Sequence, residues 1–287
     1  MLKRRTTGSV VCPSCGSLVG VRDDKCYTCG RSNPGLWGFG PALRQLGADF
    51  GFVPLVIGGS VVLYGLTLFA SGPDVMSGGP LNFLSPSDRV LLQFGASGAV
   101  PVFALGWWWT VLSATWLHGS ALHILFNMMW VRDLGPAVVD IIGAPRAILI
   151  YVVSGIFGFF MSSLIGYLGL PIPLLHGARL TVGASASIFG LLGALVHYGR
   201  KSGSSLVHGQ AMNYAIILFI MGIVMPGVDN TAHAGGFVGG YAMSAFFNPL
   251  TRERGDHLLV ALLSLAATLL AVVFTVVQSF RLFSLTR

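Results

Sequence analysis

Long apolar runs separated by short polar connections fill most of this chain. After a polar, glycine-containing stretch of about fifty residues, apolar runs fall near 52–70, 119–135, 145–168, 184–199, 211–226, 231–248 and 257–280. Roughly 17–25 helical residues cross a hydrocarbon core. Backbone in lipid must satisfy its own hydrogen bonds, so each run is predicted to be a helix, giving seven spans. Between the first two runs lies a segment, 71–118, that is long for a connection and is not polar. It carries Val90-Leu91-Leu92, an apolar stretch from Val100 to Leu105, and Trp107-Trp108-Trp109. Long loops of this kind fold on themselves or carry function, and Trp clusters favour the membrane–water interface. A loop lying partly in the outer leaflet is predicted, with an eighth, broken span as the alternative.

Composition agrees. Of 287 residues, 54% are hydrophobic and 9% charged, with 39 glycines and a mean hydropathy of +0.76. A soluble domain carries roughly 25% charged residues, so this chain lacks the means to cover a water-facing surface. Glycines suit membrane helices that must approach closely. The net charge of +7 is scattered among loops, which points to membrane orientation and not to a nucleic-acid partner. Lys3, Arg4, Arg5, Arg22, Lys25, Arg31 and Arg44 precede the first span. Arg132 and Arg146, Arg200 and Lys201, and Arg252 and Arg254 fall in alternate later connections. The opposite loops hold Arg89 and Arg179, while Arg281 and Arg287 follow the last span. The positive-inside rule then places the N-terminus in the cytoplasm. The first thirty residues show no signal-peptide pattern.

Cys12-Pro13-Ser14-Cys15 and Cys26-Tyr27-Thr28-Cys29 form paired CxxC knuckles, each followed by glycine (Gly16, Gly30). Two knuckles offer four thiolates in the tetrahedron that zinc takes, and glycine permits the left-handed turn after each. Disulfides conflict with a cytoplasmic location, and a redox CxxC needs one pair on a fold of its own. A structural zinc ribbon is expected over residues 1–35, joined by a linker over 36–50. With no open coordination position it is assigned no catalysis. Docking of a cytosolic partner, or regulation, is the expected role.

Ionisable residues inside spans are functional candidates. His123 and Asn127, four apart, share one helix face. His118 lies about 140° from His123 round an ideal helix and is placed at the helix mouth. Ser185 opens the fourth span between small residues, near the positive end of the helix dipole, where a developing oxyanion is favoured. His233 opens the sixth, with Gly236 and Gly240 on or near its face, predicting close contact with the small residues of the fourth span. Interhelical hydrogen bonding accounts for each group singly. Their convergence on the outer ends of spans two, four and six favours a serine–histidine site. Ser97, in Gly95-Ala96-Ser97-Gly98, fits a GxSG pattern better than Ser185 but precedes Pro101 and opens no long helix. Ser187 lies about 200° from Ser185 round the helix. Both are rejected.

Together, His118…His123…Asn127 with the stretch from Trp130 to Gly135, Gly183-Ala184-Ser185 with Ile188 to Gly193, and Ala232-His233 with Gly236 and Gly240 resemble the rhomboid intramembrane serine proteases over about residues 50–250. The resemblance implies an all-α polytopic membrane protein: a six-helix rhomboid core (51–250) plus a C-terminal seventh transmembrane helix (251–287), preceded by the small cytosolic zinc ribbon. It implies Ser185 as nucleophile, His233 as general base, and His123 and Asn127 with the Ser185 N–H as oxyanion hole. His118 would serve loop and water-access structure, and the 71–118 segment would be the family's membrane-embedded first loop. No cofactor is expected for catalysis. The expected substrates are transmembrane proteins in the lipid bilayer, and the expected setting is a bacterial inner membrane with the site toward the external face. Two positions depart from the family pattern. Ala186 replaces a glycine, where its methyl is expected to tighten the oxyanion region, and Thr110 replaces the arginine of a Trp-Arg pair. These departures motivate a catalytically inactive, client-binding alternative. A small-solute transporter fits less well, since no internal repeat is visible.

Overall fold

The computed structural model describes residues 4–76, 83–251 and 255–285, so Lys3, Arg252, Arg254 and Arg287 of the charge pattern lie outside the described residues. Among those described, the chain is helical apart from one small hairpin, β1 (Ser9–Val11) paired antiparallel with β2 (Leu18–Gly20). The helices are α1 (Gly40–Arg44), α2 (Phe52–Ser71), α3 (Asp88–Phe94), α4 (Thr110–Ser113), α5 (Ala121–Ile142), α6 (Ala144–Leu168), α7 (Ser185–Ser202), α8 (Ser205–Val224), α9 (Asn230–Phe247) and α10 (Gly255–Leu285).

Seven of these, α2 and α5–α10, coincide with the seven apolar runs. The helices α2, α6, α8 and the 257–281 stretch of α10 are long and apolar enough to cross a membrane by length and composition. The chain is an all-α, polytopic integral membrane protein. Two boundaries differ from the apolar pattern. Helix α5 continues through Pro136 to Gly143, because Val138, Val139 and Ile142 are buried and hold its last turns to the core. Helix α8 begins six residues before its apolar run, at Ser205, where the Ser204 hydroxyl caps the Val207 N–H at 3.4 Å.

Helix α7 is the centre of the bundle: every residue from Ala186 to Val196 is buried. It packs chiefly against α9, and also against α8 and α6. A Cβ on Gly236 would stand 2.1 Å from the Ala186 carbonyl oxygen, and one on Gly240 would stand 1.9 Å from that of Gly190. The predicted meeting of α9 glycines with α7 is thus backbone against backbone. Helix α8 lies at the periphery, burying Ala211, Ala215 and Gly222.

Among its described residues, the loop after α2 contains no eighth span. Its longest helix is the seven-residue α3, with a π turn over Val100–Ala104 and α4 following. Helix α10 pins this loop: the Trp109 and Trp116 indoles donate to Thr275 (3.1 Å) and Thr268 (2.9 Å), and the Ser279 hydroxyl donates to the Gln93 carbonyl at 3.3 Å.

Candidate active site and metal centre

A cavity of about 760 Å³ opens between α5, α7, α8 and α9, and Ser185, His233, His123 and Asn127 all line it. Ser185 is the first residue of α7, where N–H groups lack intrahelical partners. The segment before it is fixed from two sides. Thr181 and Ser97 exchange backbone hydrogen bonds of 2.8 and 3.0 Å, and the Gly183 N–H donates to the Ala114 carbonyl at 3.0 Å.

His233 sits in the first turn of α9, begun by Asp229, whose carboxylate accepts from the Ala232 N–H at 3.0 Å and from the Ser162 hydroxyl of α6. The His233 ring is buried and stacks on Phe189 of α7, with centroids 4.3 Å apart and planes 16° from parallel. Its Nε2 lies 2.9 Å from Ser185 Oγ, and its Nδ1 lies 3.1 Å from Asn230 Oδ1.

His123 and Asn127 occupy consecutive turns of α5 on the cavity side. The Gly119 N–H donates to His123 Nδ1 at 3.3 Å. An imidazole nitrogen that accepts carries no proton, so the proton of neutral His123 is on Nε2. That Nε2 faces Gly183, where a Cβ would come within 2.6 Å of it. Asn127 Nδ2 donates to the His123 carbonyl at 2.8 Å, leaving its second N–H for another acceptor. Its Oδ1 is buried without a hydrogen-bond partner among the described residues. Two N–H donors thus border the space beside Ser185 Oγ. A hydroxyl against an imidazole, with donors to one side, is suited to acyl transfer.

The residues set aside in the sequence lie elsewhere. Ser97 is fully buried and its hydroxyl meets Ser163 at 3.4 Å, away from any histidine contact. Ser187 turns from the cavity toward Thr115, at 3.3 Å. His118 precedes α5 as a buried loop residue, edge-on to His123 at 5.2 Å. The Ala186 methyl does not tighten the cavity. It points at Gly158 of α6, where a Cβ would meet it at 2.9 Å, because α6 and α7 cross there. The Thr110 hydroxyl donates to the Trp107 carbonyl at 2.8 Å, and α10 holds the neighbouring indole. Asn230 and the α10 threonines were missed in the sequence. Asn230 lies three residues before His233, a same-face spacing, and nothing in the order of residues announces Thr268 or Thr275.

In the N-terminal module, Val10, Val19 and Val21 pack around Cys12 and Cys26. Each knuckle closes as expected: Gly16 (φ 77°) and Gly30 (φ 71°) donate their N–H to the Cys12 and Cys26 carbonyls at 3.0 and 2.8 Å. The four Sγ atoms lie within 4.8 Å of one another, with Cys12–Cys29 at 3.7 Å and Cys15–Cys26 at 3.6 Å. These separations exclude disulfides, whose sulfurs are about 2.05 Å apart. They match the edge of a tetrahedron, about 3.8 Å for metal–sulfur bonds of about 2.3 Å. The donor set fits a metal ion. With the thiols free, hydrogen bonds from the Ser17 hydroxyl and backbone hold Cys15 down to about 6, whereas burial pushes Cys29 up to about 12.

A family profile described as the rhomboid domain matches residues 105–250. Over 190 residues the chain is 32% identical to the rhomboid protease GluP of Bacillus subtilis (strain 168), covering 65% of this chain and 35% of that protein. It is 29% identical over 216 residues to RHOMBOID-like protein 5 of Arabidopsis thaliana, covering 66% and 65% of the two chains. It is 32% identical over 165 residues to RHOMBOID-like protein 7 of the same plant, covering 56% and 49%. The chain therefore spans less than two thirds of the length of each of these relatives.

Proposed function

The chain belongs to the rhomboid family, and from that premise we propose that it is an intramembrane serine endopeptidase that cuts transmembrane segments of other membrane proteins. The observation that carries this reading is the 2.9 Å approach of Ser185 Oγ to His233 Nε2 inside a cavity also lined by His123 and Asn127. Ser185 attacks the scissile carbonyl while His233 Nε2 takes its proton. The oxyanion receives hydrogen bonds from His123 Nε2–H, Asn127 Nδ2–H and the Ser185 backbone N–H. Collapse of the intermediate passes the proton from His233 to the leaving amine and leaves an acyl-enzyme on Ser185. Water, deprotonated by His233, then releases the acid and restores the hydroxyl. These steps draw on side chains, one backbone N–H and a water.

All seven long helices cross the bilayer in this reading, with the N-terminus in the cytoplasm of a bacterial cell and the site toward the external face. The domains are a zinc ribbon over 1–35, a linker over 36–50, the protease core over 51–250 and the added helix over 251–287. Zinc is the metal assigned to Cys12, Cys15, Cys26 and Cys29, since four thiolates in a closed tetrahedron suit it. A cytosolic partner docks on that module. The test is co-expression with single-span substrates together with labelling by a fluorophosphonate probe. Both should vanish in Ser185→Ala; cleavage or labelling unchanged in that variant overturns the proposal. Labelling and turnover by purified wild type would exclude an inactive client-binding protein.

A further inference from the structure

His233 is the last residue of a hydrogen-bond chain that begins on α8, and the direction of each bond in that chain is fixed by chemistry. The Phe219 carbonyl, in the last third of α8, can only accept. It lies 3.3 Å from Asn230 Nδ2, so it takes an amide N–H. That leaves Asn230 Oδ1 facing His233 Nδ1 at 3.1 Å. An amide oxygen also only accepts, so Nδ1 must carry the imidazole proton. The lone pair of the neutral ring is then on Nε2, 2.9 Å from Ser185 Oγ, and the serine must be the donor there. Without this chain the imidazole has no reason to prefer that tautomer. The other one would present N–H to a hydroxyl and leave no base. Phe189 fixes the plane of the ring by stacking, but a stacked plane does not select which nitrogen is protonated.

The chain also depends on α8 itself. Gly222 leaves room for the amide: a Cβ there would stand 2.2 Å from Asn230 Oδ1. Asn230 is buried, so water does not readily replace Phe219 or His233 as its partner.

We propose that Asn230 is a positioning residue that sets the His233 tautomer in the Ser185–His233 dyad and is itself anchored on α8. This rests on the protease reading above. The first measurement does not require activity. Full-length protein in lipid nanodiscs, with ring-¹⁵N histidine, is observed by NMR, and the His233 signal is assigned by its loss in His233→Asn. The proposal expects Nδ1 protonated and Nε2 bare in wild type, and mixed tautomers in Asn230→Ala and in Gly222→Ala. A wild-type ring protonated on Nε2 overturns it.

The second measurement is the rate of fluorophosphonate labelling and of substrate cleavage. Asn230→Ala should lower kcat by about 10- to 100-fold with KM little changed, the range given by loss of a buried partner of the base. Asn230→Asp keeps the acceptor for Nδ1 and loses the donor to Phe219. It should recover part of the loss if tautomer control is the role, whereas a residue needed only to tie α9 to α8 would be no better as Asp than as Ala. Equal rates for wild type and Asn230→Ala overturn the proposal while leaving Ser185 proteolysis intact. Absence of labelling in wild type itself, with the tautomer as expected, is instead a failure of the protease reading.

Discussion

The α7–α9 contact and the N-terminal cysteine module are both fixed by a few atoms at short range, and the atoms are of opposite kinds. Between α7 and α9 the deciding groups are absent side chains: Gly236 and Gly240 let one backbone rest on another's carbonyls. In the module they are four reactive side chains whose sulfurs lie within 4.8 Å on a core of a few valines. A bilayer supplies no hydrophobic drive between helices, so close packing must hold them together. A segment of some thirty residues has too little core to hold itself, and a metal on the four sulfurs, as proposed above, would make up the difference. Packing therefore positions the candidate chemistry of this protein, and in the proposed reading ligation holds the part assigned no chemistry.

The hardest test of that contrast is to add one carbon to the packed region. Gly240→Ala should destabilise the bundle by about 3 kcal/mol or more, because the clash is with backbone that cannot rotate away. A large drop in detergent melting temperature and loss of fluorophosphonate labelling are expected. Gly209→Ala, on α8 where a Cβ meets nothing within 4 Å, should leave both unchanged. Equal effects of the two substitutions would break the contrast.

Metal removal probes the other region. A strong chelator, or Cys12→Ser, should expose the module to limited proteolysis while the helical core keeps its melting temperature. Melting of the core along with the module would show that the two are held together. Thiolates are the ligands, so acid should release the metal and alkali retain it.

The smallest effect is expected at Thr275→Val, which removes the acceptor of the Trp109 indole. Loss of one such hydrogen bond costs about 0.5–1.5 kcal/mol. A modest fall in melting temperature with labelling largely kept is expected, to be checked against Thr275→Ser, which keeps the hydroxyl.

Much of this was readable in the order of residues, for reasons particular to membrane chains. Seven apolar runs became seven long helices because lipid leaves the backbone no alternative. The knuckle spacing carried the cysteine cluster because each pair closes within one turn. Gly236 and Gly240 announced a close helix contact. The pattern was less able where polarity misled. Pro136 and Asp140 hid the last turns of α5, and Ser205 to Gln210 hid the first turns of α8. The Ala186 methyl looked like a change at the site until the crossing of α6 turned it toward Gly158.

What the amino-acid order sets is local: where each helix runs, which positions are too small or too polar for lipid, and which cysteines share a turn. These depend on hydrophobicity and on contacts between near neighbours. Which serine meets a histidine is a different matter. Ser97, Ser185 and Ser187 all sit among small residues, and only the packing of α9 on α7 brings one of them to His233. The bond directions that run from Phe219 through Asn230 to that ring, and the clasp of α10 on Trp109 and Trp116, join residues far apart in the chain. Nothing short of the folded bundle specifies them.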